Sequence, residues 1–406
     1  MQQKEFVIRQ GTKCHICTNC GRCFGGSEGM QVVTAQMMFS GEQNVRKMAG
    51  FLIATDIGTT TIAMILYDRD GVERDRFVTV NPQVRFGADV VSRIQAASEP
   101  ESKAAQEMQK DVWRVLKTGI RHFGENVDLK NVRMVIAANT TMHYLLMGYN
   151  TKELGYVPFH ASHLKKETFV LDGIEVTTFP GFSAFVGGDI VSGIYAGAIS
   201  EGEEVTLLID LGTNGEMAIG NCRGLTVCST AAGPAFEGGA SKGIWGADMV
   251  HLTARLLEEG ILDETGLLAD SYFDKGIRIG DVHITQQAVR SLQLAKAAIA
   301  AGIQLLAKAH GLTELAQIEK VILAGGFGYF LKAEDAVRIG LLPHILADKV
   351  VSGGNTALAG ILRYGKEGSK AEKTIQDMIA KTQAINLAVQ PGFQDRYIEA
   401  MYLEEW

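Results

Sequence analysis

The chain has 406 residues, 46% hydrophobic and 21% charged, enough for a sizeable core and two or three domains. A formal net charge of −7, with no basic run longer than the dipeptide in LKKE (164–167), argues against a dedicated nucleic-acid surface. The N-terminal MQQKEFVIRQ lacks the apolar run of a secretory signal, and no stretch approaches the ~18 uninterrupted apolar residues of a membrane span. The expectation is a soluble, cytoplasmic protein.

Residues 1–45 are short of apolar periodicity and hold GTKCHICTNCGRCFGG (11–26), with Cys14, Cys17, Cys20 and Cys23 at one strict interval. In a reducing compartment such a cluster is a metal site before it is a pair of disulfides. Two-residue spacers let neighbouring thiolates converge on one centre. Three consecutive Cys-x-x-Cys steps are similar to the bacterial ferredoxin run, whereas zinc sites usually keep their two Cys pairs apart. An iron–sulfur cluster is favoured over structural zinc and over redox thiols. Cys23 could complete that cluster, bridge to a second subunit, or leave its corner to another ligand. His15 reads as an exposed loop residue ahead of an alternative ligand. Cys222 and Cys228 lie in strand-like sequence and read as small core residues.

After a linker at 40–50, FLIATDIGTTTIAMILYDRDGVERDRFVTV (51–80) reads as three strands joined by tight turns, with period-2 alternation through Thr61–Leu66. The segment 103–124 is an amphipathic helix with Met108, Val112, Val115 and Leu116 on one face and Gly124 as its stop. A buried strand, a turn and a helix follow over 132–148. Residues 186–200, VGGDIVSGIYAGAIS, form a helix of small residues suited to close packing.

The opening grammar returns in VTLLIDLGTNGEMAIGNCRGLTVCST (205–230), so the two copies of Asp-x-Gly-Thr predict an internal duplication of a half-domain. A long helix over 285–311 carries Val289, Leu292, Ile299, Ile303 and Leu306 inward. IEKVILAGGFG (318–328) is a strand running into a glycine turn, and SGGNTALAGIL (352–362) opens another small-residue helix. Strands alternating with helices predict an α/β fold. Trp245 and Trp406 read as packing residues. The tail helix 394–403 is expected to turn Tyr397, Ile398, Met401 and Tyr402 onto the protein.

Glycine beside the motif aspartate lets backbone approach a ligand, and successive amides form an anion nest. Thr59, Thr60, Thr213 and Asn214 add side-chain donors. Asp56 and Asp210 are placed to hold Mg²⁺ through water, because Mg²⁺ keeps several waters beside carboxylates and phosphates. Two such hairpins facing each other would grip a triphosphate from both sides. His143, after NTTM, divides evenly between a cleft role and core packing, and Glu237 in GPAFEGG is a candidate contact to a ribose.

The order DIGTTT (56–61), the small-residue helix with Asp189, DLGTNGE (210–216), AGGFG (324–328) and GGNTALAG (353–360) resembles phosphate 1, connect 1, phosphate 2, adenosine and connect 2 of the actin, sugar kinase and Hsp70 ATPase superfamily. That resemblance implies two ribonuclease H-like halves with ATP in the cleft between them. It implies nucleotide contacts at Gly58, Thr61, Gly212, Gly233, Gly325, Gly326 and Phe327, and a water oriented by Asp189. The expected boundaries are a cysteine-rich segment at 1–45, a first ATPase half at 51–200, and a second half with a tail at 201–406.

Longer stretches are more specific. NPQVRFGADVVSRI (81–94), AANTTMHYLLMG (137–148), FPGFSAFVGGDIVSGI (179–194), STAAGPAFEGG (229–239) and FQDRYIEAMYL (393–403) resemble the reductive activators of corrinoid proteins. The resemblance implies ATP-dependent transfer of one electron to a methyltransferase corrinoid protein, from Co(II) to Co(I), with a low-potential donor upstream and a homodimer as the working unit. Many such activators carry a plant-type [2Fe–2S] domain; here the compact four-cysteine segment stands in its place, which points to [4Fe–4S]. Activators of 2-hydroxyacyl-CoA dehydratases combine a similar ATPase with a [4Fe–4S] cluster, so the acceptor could differ. Two other readings stay open: a small-molecule kinase with a structural zinc, and a nucleotide-switched scaffold. In the corrinoid reading ATP would close the gap to a low-potential Co(II)/Co(I) couple, where each ~30 mV of uphill transfer costs about 0.7 kcal/mol for one electron.

Overall fold

The computed structural model describes residues 47–99, 101–212, 214–237, 246–280 and 282–406. The expected cluster segment with Cys14, Cys17, Cys20 and Cys23 lies outside the described residues, as do His15, Thr213 and Trp245.

Two tight hairpins start the first sheet. β1 (Phe51–Ile57), β2 (Thr61–Tyr67) and β3 (Glu73–Val80) run antiparallel, and β4 (Val132–Ala138) returns parallel to β1. β5 (Thr168–Leu171) and β6 (Ile174–Thr178) add a hairpin, giving the order β3-β2-β1-β4-β6-β5. β7 (Thr206–Leu211), β8 (Gly215–Asn221) and β9 (Gly224–Thr230) repeat the antiparallel opening. β10 (Ile277–Ile279) and β11 (Val282–Ile284) form a separate ribbon, and β12 (Lys320–Ala324) and β13 (Val350–Gly354) then extend the second sheet in parallel from β7. β14 (Thr382–Ala384) closes its far edge beside β9. The runs 3-2-1-4-6 and 9-8-7-12-13 share one connectivity, so the duplication visible in two short motifs extends through both sheets.

The first half carries α1 (Val90–Ser98), α2 (Ala104–Asn126), α3 (Thr140–Met147), the single turn α4 (Lys152–Gly155) and α5 (Gly188–Ala196). The second carries α6 (Gly246–Glu258), α7 (Asp270–Phe273), α8 (Gln286–Ala309), α9 (Gly325–Gly328), α10 (Ala333–Arg338), α11 (Thr356–Glu367), α12 (Ser369–Ala380) and α13 (Phe393–Glu399). On the outer face of the first sheet, Ile53, Ile62, Met64 and Leu66 pack on Met108, Val112 and Leu116 of α2. On the outer face of the second, Leu207, Ile209 and Met217 pack on Leu292, Ile299 and Ile303 of α8. The inner faces share one core, in which Leu52, Ala54, Val135, Leu208, Ala218 and Ile322 close on α5 and α11. Burial on both faces explains why these strands read as nearly continuous apolar runs; each fully buried Leu or Ile contributes about 1.5–3 kcal/mol.

α5 and α11 cross at a distance only small residues allow. A Cβ on Gly360 would stand 2.1 Å from the Ser192 carbonyl oxygen, and the Ser192 hydroxyl donates to the Ala357 carbonyl at 2.7 Å. α11 follows β13 of the second sheet in sequence yet lies against the first, where Arg133 donates to the Gly365 carbonyl at 2.8 Å.

Some local expectations change. α2 runs two residues past Gly124, because no left-handed turn occurs there, and ends when Val127 turns extended. Cys228 is a core residue, but Cys222 falls in the β8–β9 turn and is only half-buried. Among the described residues α8 alone is long and apolar enough to cross a membrane by length and composition; 78% of that window is buried inside the protein. The tail helix stops at Glu399, so the expected face does not form. Ile398 and Tyr402 point outward, Phe393 stacks on Tyr397, and Leu403 is buried instead. The tail is tied down by the buried Lys296, which donates to the Tyr402 carbonyl, and by Trp406 Nε1 on the Gly340 carbonyl at 3.0 Å.

Candidate functional site

Both Asp-x-Gly-Thr motifs fall where an inner-face strand ends in a hairpin turn. In the first, Asp56 is the sixth residue of β1, beside Ala137 of β4. The Gly58 N–H closes the turn on the Thr61 carbonyl at 2.9 Å. Three asparagines brace this turn and its neighbours. Asn81 donates from its side chain to the Gly58 carbonyl at 2.8 Å and from its N–H to the Thr60 carbonyl at 2.9 Å. Asn139 caps α3 on the Met142 N–H and donates to Thr59 Oγ1 at 3.0 Å. Asn355 caps α11 on the Leu358 N–H and donates to Asp56 Oδ2 at 2.7 Å, which joins the first hairpin to a helix from the other half of the chain.

The second hairpin mirrors this. Asp210 is the fifth of six residues in β7, beside Ala324 of β12, and the Gly212 N–H meets the Asn214 carbonyl at 3.0 Å. Gly325, at φ +82°, lies so close that a Cβ there would stand 2.8 Å from Asp210 Oδ1. The two hairpins differ in one respect. Asp56 pairs across its hairpin with Ala63, whereas Asp210 pairs with Glu216, whose loop is one residue shorter. Asp189 enters from the first turn of α5, with its Oδ1 on the Ile190 N–H at 2.9 Å.

Three of the four carboxylates here are raised by a neighbour's charge as well as by burial. Burial first, moderated by Asn355, pushes Asp56 up to about 6. Burial and then the Asp56 charge push Asp210 up to about 7. Asp189 is raised by burial and by Asp210 and Asp56, and Glu216 by burial and by Asp189 and Asp210. Among the described residues no three His, Cys, Asp or Glu side chains could hold one metal ion between them. A hydrated cation bridged to phosphate suits such a set better than a directly ligated one.

The structure thus brings together Asp56, Asp189, Asp210, Gly58, Thr59, Thr60, Thr61, Gly212, Asn214, Gly325 and Gly326 through the β1, β7 and β12 ends and α5. Gly233 holds φ +75°, with nothing among the described residues near its missing Cβ, in the loop that leaves β9. The side chains of Glu237 and Phe327 lie outside the described residues. Glu216, Asn81, Asn139 and Asn355 were not singled out from sequence. The asparagines precede helices, a capping signal, and Glu216 follows DLGTNG at the position that pairs with Asp210. His143 turns away into packing: it is buried, its Nε2 lies 3.3 Å from Glu167 Oε1, and burial lowers its pKa more than Glu167 raises it.

Two family profiles match the chain, one described as the RACo middle region over 51–201, the other as the C-terminal domain of RACo, the ASKHA domain, over 204–242 and 240–406. The corrinoid activation enzyme RamQ of Eubacterium limosum is 32% identical, over 85% of this chain and 69% of its own. The Co(II) methylated amine-specific corrinoid protein reductase of Methanosarcina barkeri is 23% identical, over 80% and 71%. A solved structure, a reductive activator for corrinoid, iron–sulfur protein, superposes with a TM-score of 0.79 at 30% identity, covering 90% of this chain and 67% of that one.

Proposed function

The chain belongs to the RACo family, the reductive activators of corrinoid proteins, and from that premise we propose that it returns a corrinoid protein from Co(II) to Co(I) by passing it one electron under the control of ATP. The observation that carries the acceptor class is the 32% identity to RamQ over most of both chains. In this reading the protein works in the cytoplasm as a homodimer, recharged by a low-potential donor.

ATP binding draws support from the cleft. Buried carboxylates raised by a neighbour's charge, the Gly325 backbone set close against Asp210 and two glycine hairpin turns make a setting that a Mg²⁺-bound triphosphate would relieve. Bound Mg²⁺ would supply positive charge to offset both the carboxylates and the phosphates. Asp56 and Asp210 would hold it through water, the Gly58 and Gly212 turns would offer backbone to the phosphates, and Gly325 and Gly326 would border the nucleoside. Asp189 orients the attacking water. For the electron carrier, four thiols at two-residue spacing are a donor set that fits a [4Fe–4S] cluster, held by Cys14, Cys17, Cys20 and Cys23. Such a cluster would supply the single low-potential electron. Because the inner helices α5 and α11 connect both sheets, a change in lobe closure reaches both, and closure is the two-state element that ATP biases.

The test uses anaerobically prepared protein with Mg-ATP, a reductant and a corrinoid protein, and follows loss of the Co(II) EPR signal. Wild type reduces the corrinoid and carries iron and acid-labile sulfide. Asp210→Ala loses at least about 100-fold in ATP-dependent reduction, the size expected when preorganised electrostatics are removed, with iron unchanged. Cys17→Ser loses iron and keeps nucleotide binding. Zinc without sulfide, or phosphate transfer to a small molecule, would overturn the reading.

A further inference from the structure

The duplication of the two sheets extends to the helices that follow them. α5 comes after β6 and α11 after β13, the strands that stand fifth in the matching runs 3-2-1-4-6 and 9-8-7-12-13. Each helix start carries two glycines and then a polar residue, Gly187-Gly188-Asp189 in the first half and Gly353-Gly354-Asn355 in the second. The helices also meet reciprocally. A Cβ on Gly193 of α5 would stand 2.8 Å from Thr356 Oγ1, and one on Gly360 of α11 would stand 2.1 Å from the Ser192 carbonyl oxygen. Asp189 and Asn355 are therefore one position of the repeat, filled by an acid in one half and by an amide in the other.

Each of the two serves the motif aspartate of the opposite half. The Asp210 charge acts on Asp189 more strongly than the Asp56 charge does. Asn355 Nδ2 donates to Asp56 Oδ2 at 2.7 Å. The amide does two things at once. Its Oδ1 accepts from the Leu358 N–H at 2.8 Å and caps α11, which leaves Nδ2 as the atom that reaches Asp56. Because the cap fixes the Asn355 side chain, the direction of its donor is set by α11. An aspartate here would cap the helix as well, but its carboxylate could not donate to Asp56.

We propose that Asn355 is a positioning residue for the nucleotide: held by its cap on α11, it fixes the orientation of the Asp56 carboxylate that would hold the hydrated Mg²⁺ of a bound triphosphate. The grip on the cation then depends on where α11 sits, and so on the half of the chain that does not contain Asp56. The proposal rests on the Mg-ATP reading given above.

The experiment uses the full-length protein as wild type, Asn355→Ser and Asn355→Ala. Calorimetry measures the Kd of a non-hydrolysable ATP analogue, once with Mg²⁺ and once in EDTA. Serine keeps an N-cap but ends one atom short of Nδ2, and alanine provides neither cap nor donor. Both variants bind the Mg²⁺ complex at least about tenfold more weakly than wild type, and by the same factor, as loss of a hydrogen bond to a charged group does. In EDTA both stay within about twofold of wild type. Thermal unfolding without nucleotide isolates the cap: Asn355→Ser melts above Asn355→Ala. Wild-type affinity in Asn355→Ser would make Asn355 a helix cap alone and overturn the proposal. Equal losses with and without Mg²⁺ would also overturn it, because the hairpin rather than the cation site would have changed. A wild type that binds the analogue under neither condition overturns the ATP reading itself, and this positioning role with it.

Discussion

At Asp210, burial and the Asp56 charge hold the carboxyl near 7, well above its value in an unfolded chain. The native state therefore binds more protons than the unfolded one between roughly pH 4 and pH 7. The associated stability is fully present below about pH 4 and is lost as pH rises through 7. Asp210→Asn cannot ionise, so the nucleotide-free variant is more stable than wild type at pH 8, by on the order of 1–2 kcal/mol once cleft water is allowed for, and no more stable at pH 4. Urea unfolding at the two pH values checks this; an equal gain at both would mean the carboxylate is not strained. The motif aspartates were legible because glycine and threonine mark their turns. Glu216 was not, because its importance lies in a register: one residue fewer in the second loop sets an acid opposite Asp210 where the first hairpin has Ala63. Asn81, Asn139 and Asn355 act on residues 23 to 299 positions away, a relation no local pattern carries.

At the scale of elements, hydrophobic periodicity located the main strands and the long helices to within a few residues. The small-residue helices α5 and α11 were recognisable as close-packing surfaces, but that they pack on each other was not. Their crossing and an open position on α2 predict opposite outcomes for two glycine-to-alanine changes. Gly360→Ala drives a methyl into the Ser192 carbonyl and costs about 1–3 kcal/mol, as overpacking does. Gly124→Ala, inside the last turn of α2 with Leu129 no nearer than 3.5 Å, gains up to about 1 kcal/mol from helix propensity. Denaturant midpoints at constant m-value report both. A neutral Gly360→Ala would mean the two helices can separate freely.

For the whole molecule, the shared inner core predicts one unfolding transition across residues 51–406, without a separately melting half. Calorimetry with Mg-ATP at about 100 times its Kd should move that single transition by some 2.7 kcal/mol. Two resolved transitions, only one of them ATP-sensitive, would mean that the halves are thermodynamically independent. The doubled sheet was legible from two motif copies 154 residues apart, and the family resemblance extended the reading to the acceptor. The exchange of α11 between halves was not, because sequence order places it among the strands of the second sheet.

That exchange also sets an order of events during synthesis. When the first sheet has left the ribosome, Leu52, Ala54 and Val135 still lack Leu358 and Ile361 of α11, which are encoded more than 200 residues later. At about 5–20 residues per second, that apolar face waits many seconds for its cover. The nascent first half is therefore a natural client for a holding chaperone, and a truncated message ending before residue 356 yields a chain that aggregates rather than a smaller folded domain.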